Sequence, residues 1–317
     1  MEITTAQAAA ELLAQDNITI LCHRKPDGDT LGSGFALHHA LTQLGKRSAV
    51  RCADTYPPNM KQYMLPDTFT ASSEDYVVAV DVADIKLLGA LEAEYTGRVN
   101  LNIDHHPSNK FFAEKTVLCP QAAATAELIT DLLMEMNAEL TLPIATCLYV
   151  GLCTDTGCFR YSNTTADTLR KAALMLEKGV DNGEINHALF ESKSAGRVAI
   201  ECITQQSMEY FYDGHLAIMT IPKALQEGNN VDDSELDGLS ALPRQIEGVW
   251  IGVTVRENEG ECRVSVRTTK EADSAAISAI FGGGGHLRAG GCTISGSVEQ
   301  AKKRLVEEIG KYLCRVE

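Results

Sequence analysis

The 317-residue sequence predicts an α/β protein with a doubly wound, mainly parallel sheet and a smaller α+β domain after it. Three apolar runs, 17–22, 76–80 and 99–103, each stop at a histidine or an aspartate. Continuous apolar runs are typical of parallel strands that are buried on both faces. In the last third of the chain, short stretches of alternating polarity (215–221, 249–256 and 261–267) predict hairpins instead.

The N-terminal segment predicts a first βα unit. A short helix at 6–15 precedes the apolar strand 17–22, and the sequence HRKPDGDTLGS follows it directly. Proline and glycine in that sequence favour a turn, which holds His23, Asp27 and Asp29 near the end of the strand. Apolar spacing over 31–44 then predicts a helix that ends at Gly45.

The next strands repeat this arrangement. A second strand is predicted at 47–52, the run 76–80 stops at Asp81, and the run 99–103 stops before Asp104. Helices are predicted at 122–136 and 144–153, and the second of them runs into TDTGCFR, which contains Asp155. Two plain alternatives remain at this stage, that Asp104 is an N-cap beside two surface histidines and that Asp155 is an N-cap.

The remaining segments predict two domains and a connector. Helical character covers 163–178 and 185–206, so we predict a first domain at 1–190, a helical linker at 191–208 and a second domain at 209–317. The acidic stretch 232–237 is interpreted as a solvated loop or helix start. The end of the chain predicts a helix at 274–280, a glycine-rich binding loop within FGGGGHLRAGG, a strand at 292–294 and a helix at 298–313.

Composition excludes several classes of function. The 28 basic and 43 acidic residues give a net charge of −15, which disfavours binding of long nucleic acid. The sequence shows no apolar run of membrane-spanning length and no basic, apolar signal at its start, so we predict a cytoplasmic protein without a membrane partner. The ten cysteines are scattered without a Cys-x-x-Cys pair, which disfavours a thiolate zinc site or redox pair.

The polar residues at the predicted strand ends have the chemistry of a metal site. Carboxylates and imidazoles without thiolates favour hard to borderline divalent ions such as Mn²⁺, Mg²⁺ or Co²⁺. Eight candidates are too many for one ion, and two ions that share a carboxylate typically serve phosphoester hydrolysis. The candidates are His23, Asp27, Asp29, Asp81, Asp104, His105, His106 and Asp155.

Five motifs in order resemble the DHH phosphoesterases that carry a DHH-associated C-terminal domain. The motifs are HRKPDGDTLGS, DVAD, DHHP, TDTGCFR and GGGGHLRAGG, and the resemblance covers nearly the whole chain. Size is most similar to the branch of nanoRNases that also dephosphorylate 3′-phosphoadenosine 5′-phosphate (pAp). The resemblance implies two divalent ions, with Mn²⁺ as the first candidate, and a bridging role for Asp81. One ion would be held by Asp81 together with His23 and Asp27. The other would be held by Asp81 together with Asp29, His105 and Asp155.

The same resemblance implies roles for residues outside the metal set. His106 would act on the scissile phosphate, and Asp104 would orient the neighbouring imidazoles. The far end of the substrate would be held across an interdomain cleft. The residues predicted to bind substrate are Arg160, Arg267, Gly283, Gly284, Gly285, His286 and Arg288. The expected substrates are short oligonucleotides or a mononucleotide bisphosphate, and the chain is a candidate homodimer.

Three alternatives remain open at this stage. A cyclic-dinucleotide phosphodiesterase would share most substrate contacts with a hydrolase of linear dinucleotides. A manganese pyrophosphatase shares the DHH motif, although a Ser-Arg-Lys type phosphate clamp is then expected where this chain has GGGGH. A non-catalytic nucleotide sensor is disfavoured, because a binding module has no need of two ions directed at one water.

Overall fold

A computed structural model of the chain describes residues 1–64, 75–236, 238–269 and 271–316, with the side chains of residues 234, 286, 315 and 316 left undescribed. The chain divides into two compact units, Met1–Ser192 and Lys193–Glu317. Among the helices of the described ranges, none combines the length and the apolar character that crossing a membrane requires.

The first unit alternates strands and helices. Its strands are β1 (Asn17–Leu21), β2 (Arg47–Arg51), β3 (Tyr76–Val80), β4 (Leu101–Asp104) and β5 (Lys115–Leu118). Its helices are α1 (Thr5–Ala14), α2 (Gly28–Gln43), α3 (Glu92–Tyr95), α4 (Thr125–Glu135), α5 (Leu142–Asp155), α6 (Ala166–Glu177) and α7 (Asn182–Asn186). A 3₁₀ helix, Ile85–Leu91, precedes α3, and a π-helical turn, His187–Glu191, follows α7.

The five strands of the first unit form one parallel sheet in the order β2-β1-β3-β4-β5. This confirms the predicted fold class. In this order the chain reverses its direction of progress across the sheet between β1 and β3. Open α/β sheets bind ligands at the carboxyl ends of the strands that flank such a switch point. Asp81 follows β3 directly and His23 lies two residues after β1, so the topology places both at that position.

Both faces of the first sheet are covered, which explains its continuous apolar strands. Ile18, Ile20 and Val78 point into a core with helices α1, α2, α4 and α5. Leu21 and Val77 point into a second core, where the segment 85–95 packs on the opposite face. A sheet with two covered faces leaves its strand ends as the places where polar side chains meet solvent.

The second unit contains a six-stranded mixed sheet in the order β10-β11-β9-β8-β7-β6. Its strands are β6 (Glu209–Phe211), β7 (Leu216–Ile221), β8 (Ile251–Asn258), β9 (Glu261–Thr268), β10 (Gly284–His286) and β11 (Ala289–Ser295). Its helices are α8 (Ala195–Gln206), α9 (Lys223–Gly228), α10 (Ser274–Ile280) and α11 (Val298–Val316). Helix α8 occupies the segment predicted as a linker, and 3₁₀ turns at Asp233–Leu236, Leu239–Ala241 and Pro243–Gln245 precede β8.

Two predictions for the second unit were wrong. Strands β7 and β8 pair in parallel, not as a hairpin. The long connection between them contains α9 and the 3₁₀ turns, and it allows the chain to return to the same end of the sheet. The glycine-rich segment, predicted as a binding loop, is likewise not a loop throughout, because Gly284–His286 pairs with β11 as an edge strand. The alternation predicted for β9 is confirmed, with Val264 and Val266 buried and Arg263 exposed.

Candidate metal centre

Asp81 occupies the middle of the candidate site. It follows β3, is 2% exposed and has a backbone φ of 60°, a left-handed conformation that is uncommon for residues other than glycine. Its Oδ2 atom lies 3.5 Å from Nε2 of His23, and its Oδ1 atom lies 3.6 Å from Nε2 of His105. The two carboxylate oxygens therefore face different imidazoles.

Both imidazoles present Nε2 to the carboxylates. The Nδ1 atom of His105 lies 3.1 Å from the carbonyl oxygen of Ala122, and Nδ1 of His23 lies 2.8 Å from the carbonyl oxygen of Arg24. A carbonyl oxygen can only accept, so Nδ1 carries the hydrogen in each ring and Nε2 of the neutral ring has a free lone pair. This is the tautomer that a metal-ligating histidine requires.

The Nε2 atom of His105 is buried without a hydrogen-bonding partner in the described part of the chain. Carboxylate oxygens surround it nevertheless, with Asp155 at 3.2 Å, Asp81 at 3.6 Å and Asp29 at 4.0 Å. A buried polar atom of this kind requires an explanation. A cation between the imidazole and the carboxylates would satisfy it.

Within the described residues, three groups of side chains bring their ligand atoms within 4.8 Å of one another. All donors are carboxylate oxygens or imidazole nitrogens, a set that suits a divalent ion such as Mn²⁺ or Mg²⁺. Asp81 belongs to two of the groups, and one of these shares His105 with the group that contains Asp29 and Asp155. The groups are His23, Asp27 and Asp81; Asp29, His105 and Asp155; and Asp81, His105 and His106.

The electrostatics of the cluster also favour a cation. Burial opposes the charged form of His23, but hydrogen bonds and charges from Asp27 and Asp81 outweigh it and raise the pKa of His23 to about 11. The pKa of His105 rises to about 10 against burial, through Asp155, Asp29 and Asp81. Burial raises the pKa of Asp155 to about 6 and that of Asp29 well above its usual value. Neighbouring carboxylates, Asp81 above all, raise both values further, so a cation between these carboxylates would relieve their mutual repulsion.

Close packing of α2 on α5 brings Asp29 and Asp155 to the same site. Gly151 allows this contact, because a Cβ atom there would lie 2.9 Å from Oδ1 of Asp29 and 2.7 Å from Cβ of Ala126. Asp29 lies in the first turn of α2, and Asp155 is the last residue of α5. The N-cap alternative for Asp155 is therefore wrong. Asp27 is the N-cap of α2 and faces His23 as well.

The N-terminus of α4 supplies contacts that the sequence analysis missed. The backbone N–H groups of Thr125 and Ala126 donate to the two oxygens of Asp29, at 2.6 and 2.9 Å. The hydroxyl of Thr125 donates to Oδ1 of Asp81 at 2.9 Å. Ala124, the N-cap, has no side-chain acceptor. A helix that begins without its own cap is a signal that an acceptor comes from elsewhere in the fold.

Asp104 and the two histidines after it do not form the surface cap considered above. Asp104 is fully buried, and its Oδ1 atom accepts hydrogen bonds from the backbone N–H of His105 at 2.9 Å and of His106 at 3.2 Å. The same oxygen lies 2.7 Å from Nδ1 of His106. The Oδ2 atom accepts from Nδ2 of Asn109 at 2.5 Å, a second partner that the sequence analysis missed. Asp104 therefore contacts the imidazole of His106, whereas at His105 it contacts the backbone N–H.

The arginines predicted to contact substrate already bind backbone carbonyls. Arg160 is exposed, and its Nε donates to the carbonyl of Gly157 at 2.7 Å. In the second unit, Arg267 donates from Nη1 to the carbonyl of Val266 at 3.1 Å. Arg288 donates from Nη1 to the carbonyl of Ala272 at 2.7 Å.

The glycines predicted to bind substrate lie beside strand β11. Gly283 precedes β10, and Gly284 and Gly285 lie within it, paired with Gly291 and Gly290. The side chain of His286 lies outside the described part of the chain. Substrate contacts by the residues of this unit stay a prediction.

Comparison with known proteins identifies the two units. Residues 17–152 match the DHH family, N-terminal domain, and residues 213–314 match the DHHA1 domain. The Thermus thermophilus protein named bifunctional oligoribonuclease and PAP phosphatase NrnA is 33% identical over 94% of this chain and 90% of its own length. The Bacillus subtilis protein of the same name is 26% identical over 87% of this chain and 89% of its own length.

Solved structures agree on the fold. An exopolyphosphatase-related protein from Bacteroides fragilis has a TM-score of 0.91 at 23% identity, covering 98% of this chain and 97% of its own. The Thermus thermophilus RecJ structure in complex with Mn²⁺ has a TM-score of 0.58 at 16% identity, covering 98% of this chain and 54% of its own. Both domain models match, and one relative is 33% identical over 94% of this chain and 90% of its own length. This chain therefore belongs to the DHH family and carries a DHHA1 domain after its DHH domain.

Proposed function

We propose that this protein is a metal-dependent phosphoesterase that hydrolyses short oligonucleotides and removes a phosphate from pAp. The relatives that align along nearly the whole chain are named bifunctional oligoribonuclease and PAP phosphatase. The proposal depends most on the Asp81 carboxylate, because one of its oxygens faces His23 and the other faces His105. A carboxylate shared in this way suits a pair of ions.

The proposed ligand assignment adds Asp81 to the group of Asp29, His105 and Asp155, because Asp81 faces His105, and it leaves His106 for the substrate. His23, Asp27 and Asp81 would hold one divalent ion, and Asp29, Asp81, His105 and Asp155 would hold the other, with Mn²⁺ as the first candidate. When bound, such a pair supplies activation of water and positive charge at a phosphoryl group. The presence of four carboxylates in one cluster, those of Asp27, Asp29, Asp81 and Asp155, supports binding of two ions.

His106 has the position of a residue that contacts the phosphate. Its ring is 30% exposed, and Nδ1 faces buried Asp104, so Nε2 is the atom available to a substrate. The Asp104 carboxylate raises the pKa of His106 against the opposing effect of burial. A ring held in this way can hold positive charge beside a phosphoryl oxygen or donate a proton to the leaving group.

The net charge of −15 limits the substrates that this protein can attract. A long nucleic acid would experience repulsion from most of the surface, whereas a short substrate needs positive charge at its phosphates alone. The bound ions would supply this charge at one end of the substrate, and Arg267 of the DHHA1 domain is proposed to supply it at the other.

One assay tests the proposal directly. Protein stripped of metal and reloaded with Mn²⁺ is incubated in parallel with pAp, a 5′-phosphorylated dinucleotide, a 24-nucleotide RNA, a cyclic dinucleotide and pyrophosphate. We expect release of phosphate from pAp and of mononucleotides from the dinucleotide, with little turnover of the other three. Exclusive turnover of the cyclic dinucleotide or of pyrophosphate would replace the proposed substrate class.

A matched pair of variants tests the ligand assignment. Asp81→Asn keeps the shape of the side chain and is tolerated in a left-handed backbone conformation, but it removes the shared charge. We expect its activity on both substrates to fall by about a thousandfold or more. Asp84→Asn, in the same DVAD motif, is the control, because Asp84 accepts a hydrogen bond from the backbone N–H of Lys86 and belongs to none of the three groups. Near wild-type activity of Asp81→Asn at saturating Mn²⁺ would contradict the assignment.

A further inference from the structure

Within the described residues, the hydroxyl of Thr125 is the one side-chain group that forms a hydrogen bond with the Asp81 carboxylate; the histidines lie at ion-pair distances of 3.5–3.6 Å. The Thr125 hydroxyl donates to Oδ1 of Asp81 at 2.9 Å. Thr125 is fully buried and Asp81 is 2% exposed, so water does not compete for this bond. A hydrogen bond to a buried charged acceptor is among the stronger ones in proteins.

This bond constrains the rotation of the carboxylate. The Oδ1 atom, which Thr125 holds, is the oxygen that lies 3.6 Å from Nε2 of His105. The Oδ2 atom is thereby left to face Nε2 of His23 at 3.5 Å. The two oxygens turn together about the χ2 angle, so a bond that holds one of them also fixes the position of the other. Terminal torsions of Asp are broad, so the side chain does not hold this orientation by itself.

The same residue also holds the neighbouring carboxylate through its backbone. The N–H of Thr125 donates to Oδ2 of Asp29 at 2.6 Å, and the N–H of Ala126 donates to Oδ1 at 2.9 Å. The first turn of helix α4 thus donates hydrogen bonds to two carboxylates of the candidate metal centre, those of Asp29 and Asp81. The hydroxyl is the one of these donors that a substitution can remove without altering the backbone.

We propose that Thr125 is a positioning residue of the metal centre, whose hydroxyl holds the Asp81 carboxylate so that its oxygens serve two different ions. This inference rests on the proposed two-ion function. It assigns no contact with substrate to Thr125. Removing partners that orient metal ligands typically weakens metal binding by about tenfold to a hundredfold.

The test uses binding of Mn²⁺ to metal-free protein in the absence of substrate. Thr125→Val is nearly isosteric and removes the hydroxyl, Thr125→Ser keeps the hydroxyl, and Thr125→Ala is a smaller variant in case valine impairs folding. Thr130→Val is the matched control, because Thr130 is buried in the same helix and its hydroxyl donates to the carbonyl of Ala126. Stoichiometry and affinity are measured by titration calorimetry and by the electron paramagnetic resonance signal of coupled Mn²⁺ pairs.

We expect wild-type protein, Thr125→Ser and Thr130→Val to bind two ions with affinities within about threefold of one another. Thr125→Val and Thr125→Ala should bind about tenfold to a hundredfold more weakly and lose the coupled-pair signal, with far-UV circular dichroism unchanged. Wild-type affinity and signal in Thr125→Val would overturn the inference while leaving the proposed function intact. Failure of the wild-type protein itself to bind Mn²⁺ would overturn both.

Discussion

Nδ1 of His106 lies 2.7 Å from Oδ1 of Asp104, and every other hydrogen-bonding group described around that carboxylate is a donor. The backbone N–H groups of His105 and His106 donate to Oδ1, and Nδ2 of Asn109 donates to Oδ2. Hydrogen bonds to a carboxylate stabilise its charged form, and the pKa of Asp104 is lowered although burial opposes this. A side chain with a donor of its own does not fit between these partners.

The first prediction concerns Asp104→Asn. The new amide N–H₂ must face either His106 or Asn109, and both of these residues present a hydrogen-bond donor. Two donors then face each other without an acceptor, so we expect a loss of about 1–3 kcal/mol in the free energy of unfolding. We also expect kcat on a dinucleotide to fall by about tenfold to a hundredfold, because His106 loses its negative partner. Chemical denaturation and steady-state kinetics measure the two effects.

A double variant separates these effects. In Asp104→Asn/Asn109→Asp, the new carboxylate at position 109 can accept the amide hydrogen of residue 104, so stability should return. The negative charge is then displaced from His106, and kcat should stay low. Recovery of kcat together with stability would show that Asp104 has a structural role alone.

The strand ends were predictable because the sheet is buried on both faces. Continuous apolar runs such as 76–80 mark strands of this kind, and a charged residue such as Asp81 must lie where the burial ends. Five motifs in order then indicated the family, which accounts for the ligand set. The groups found together in the structure contain all six residues predicted as ligands, namely His23, Asp27, Asp29, Asp81, His105 and Asp155.

Other features depend on packing that a sequence pattern does not express. Thr125 faces Asp81 because α4 packs beside α2, and nothing in the sequence AAATAEL specifies that approach. The direction of β8 relative to β7 depends on a long connection of short helical turns, each too brief for a periodic signal. Strand β5, Lys115–Leu118, has four residues and was missed for the same reason.

The second prediction concerns Gly151, where α5 contacts α2 and α4. In Gly151→Ala the methyl group would meet Oδ1 of Asp29 and Cβ of Ala126, so the helices must separate. We expect a loss of about 1–3 kcal/mol in the free energy of unfolding, together with weaker Mn²⁺ binding. Denaturation and metal titration measure both.

Gly228→Ala is the control for this substitution. A Cβ at Gly228, the last residue of α9, meets no atom within 4 Å, and alanine there should change stability by less than about 1 kcal/mol. Gly151→Ala with wild-type stability and metal affinity would mean that α5 can shift without moving Asp29.

The third prediction concerns the pH dependence of stability through Glu11. Lys115 donates to Oε1 at 2.5 Å and Tyr76 donates to Oε2 at 2.7 Å. Burial opposes ionisation, but these bonds outweigh it and lower the pKa of Glu11 below its ordinary value of 4.5. A group with a lowered folded-state pKa stabilises the protein above its unfolded-state pKa, and this contribution is lost as the pH falls through the folded-state pKa.

We therefore expect Glu11→Gln to lower the free energy of unfolding by about 1 kcal/mol at pH 7, and by progressively less below about pH 4.5. Urea denaturation at a series of pH values measures the difference. Glu135→Gln is the control, because Glu135 is exposed near the end of α4. A difference between wild type and Glu11→Gln that stays constant from pH 7 to pH 3 would argue against ionisation of Glu11 as its cause.

The last prediction concerns the DHHA1 domain and is tested on Arg267. Arg267 and Arg263 share one face of β9, opposite buried Val264 and Val266, and neither belongs to a group of candidate metal ligands. Arg263 has a partner within the domain, since its Nη1 lies 3.6 Å from Asp233. If Arg267 holds the terminal phosphate of a short substrate, Arg267→Ala should lower kcat/KM on a 5′-phosphorylated dinucleotide by about tenfold to a hundredfold.

The unphosphorylated dinucleotide and Arg263→Ala provide the comparison for this variant. The unphosphorylated dinucleotide lacks the anionic group that Arg267 is proposed to bind, so Arg267→Ala should change kcat/KM on that substrate by less than about threefold. Arg263→Ala should have a similarly small effect on both substrates. Mn²⁺ binding should be unchanged in both variants, because the candidate ligands all lie in the first unit, Met1–Ser192. Equal losses on the two dinucleotides would mean that Arg267 does not recognise the phosphate, and weaker Mn²⁺ binding would mean that it supports the catalytic centre instead.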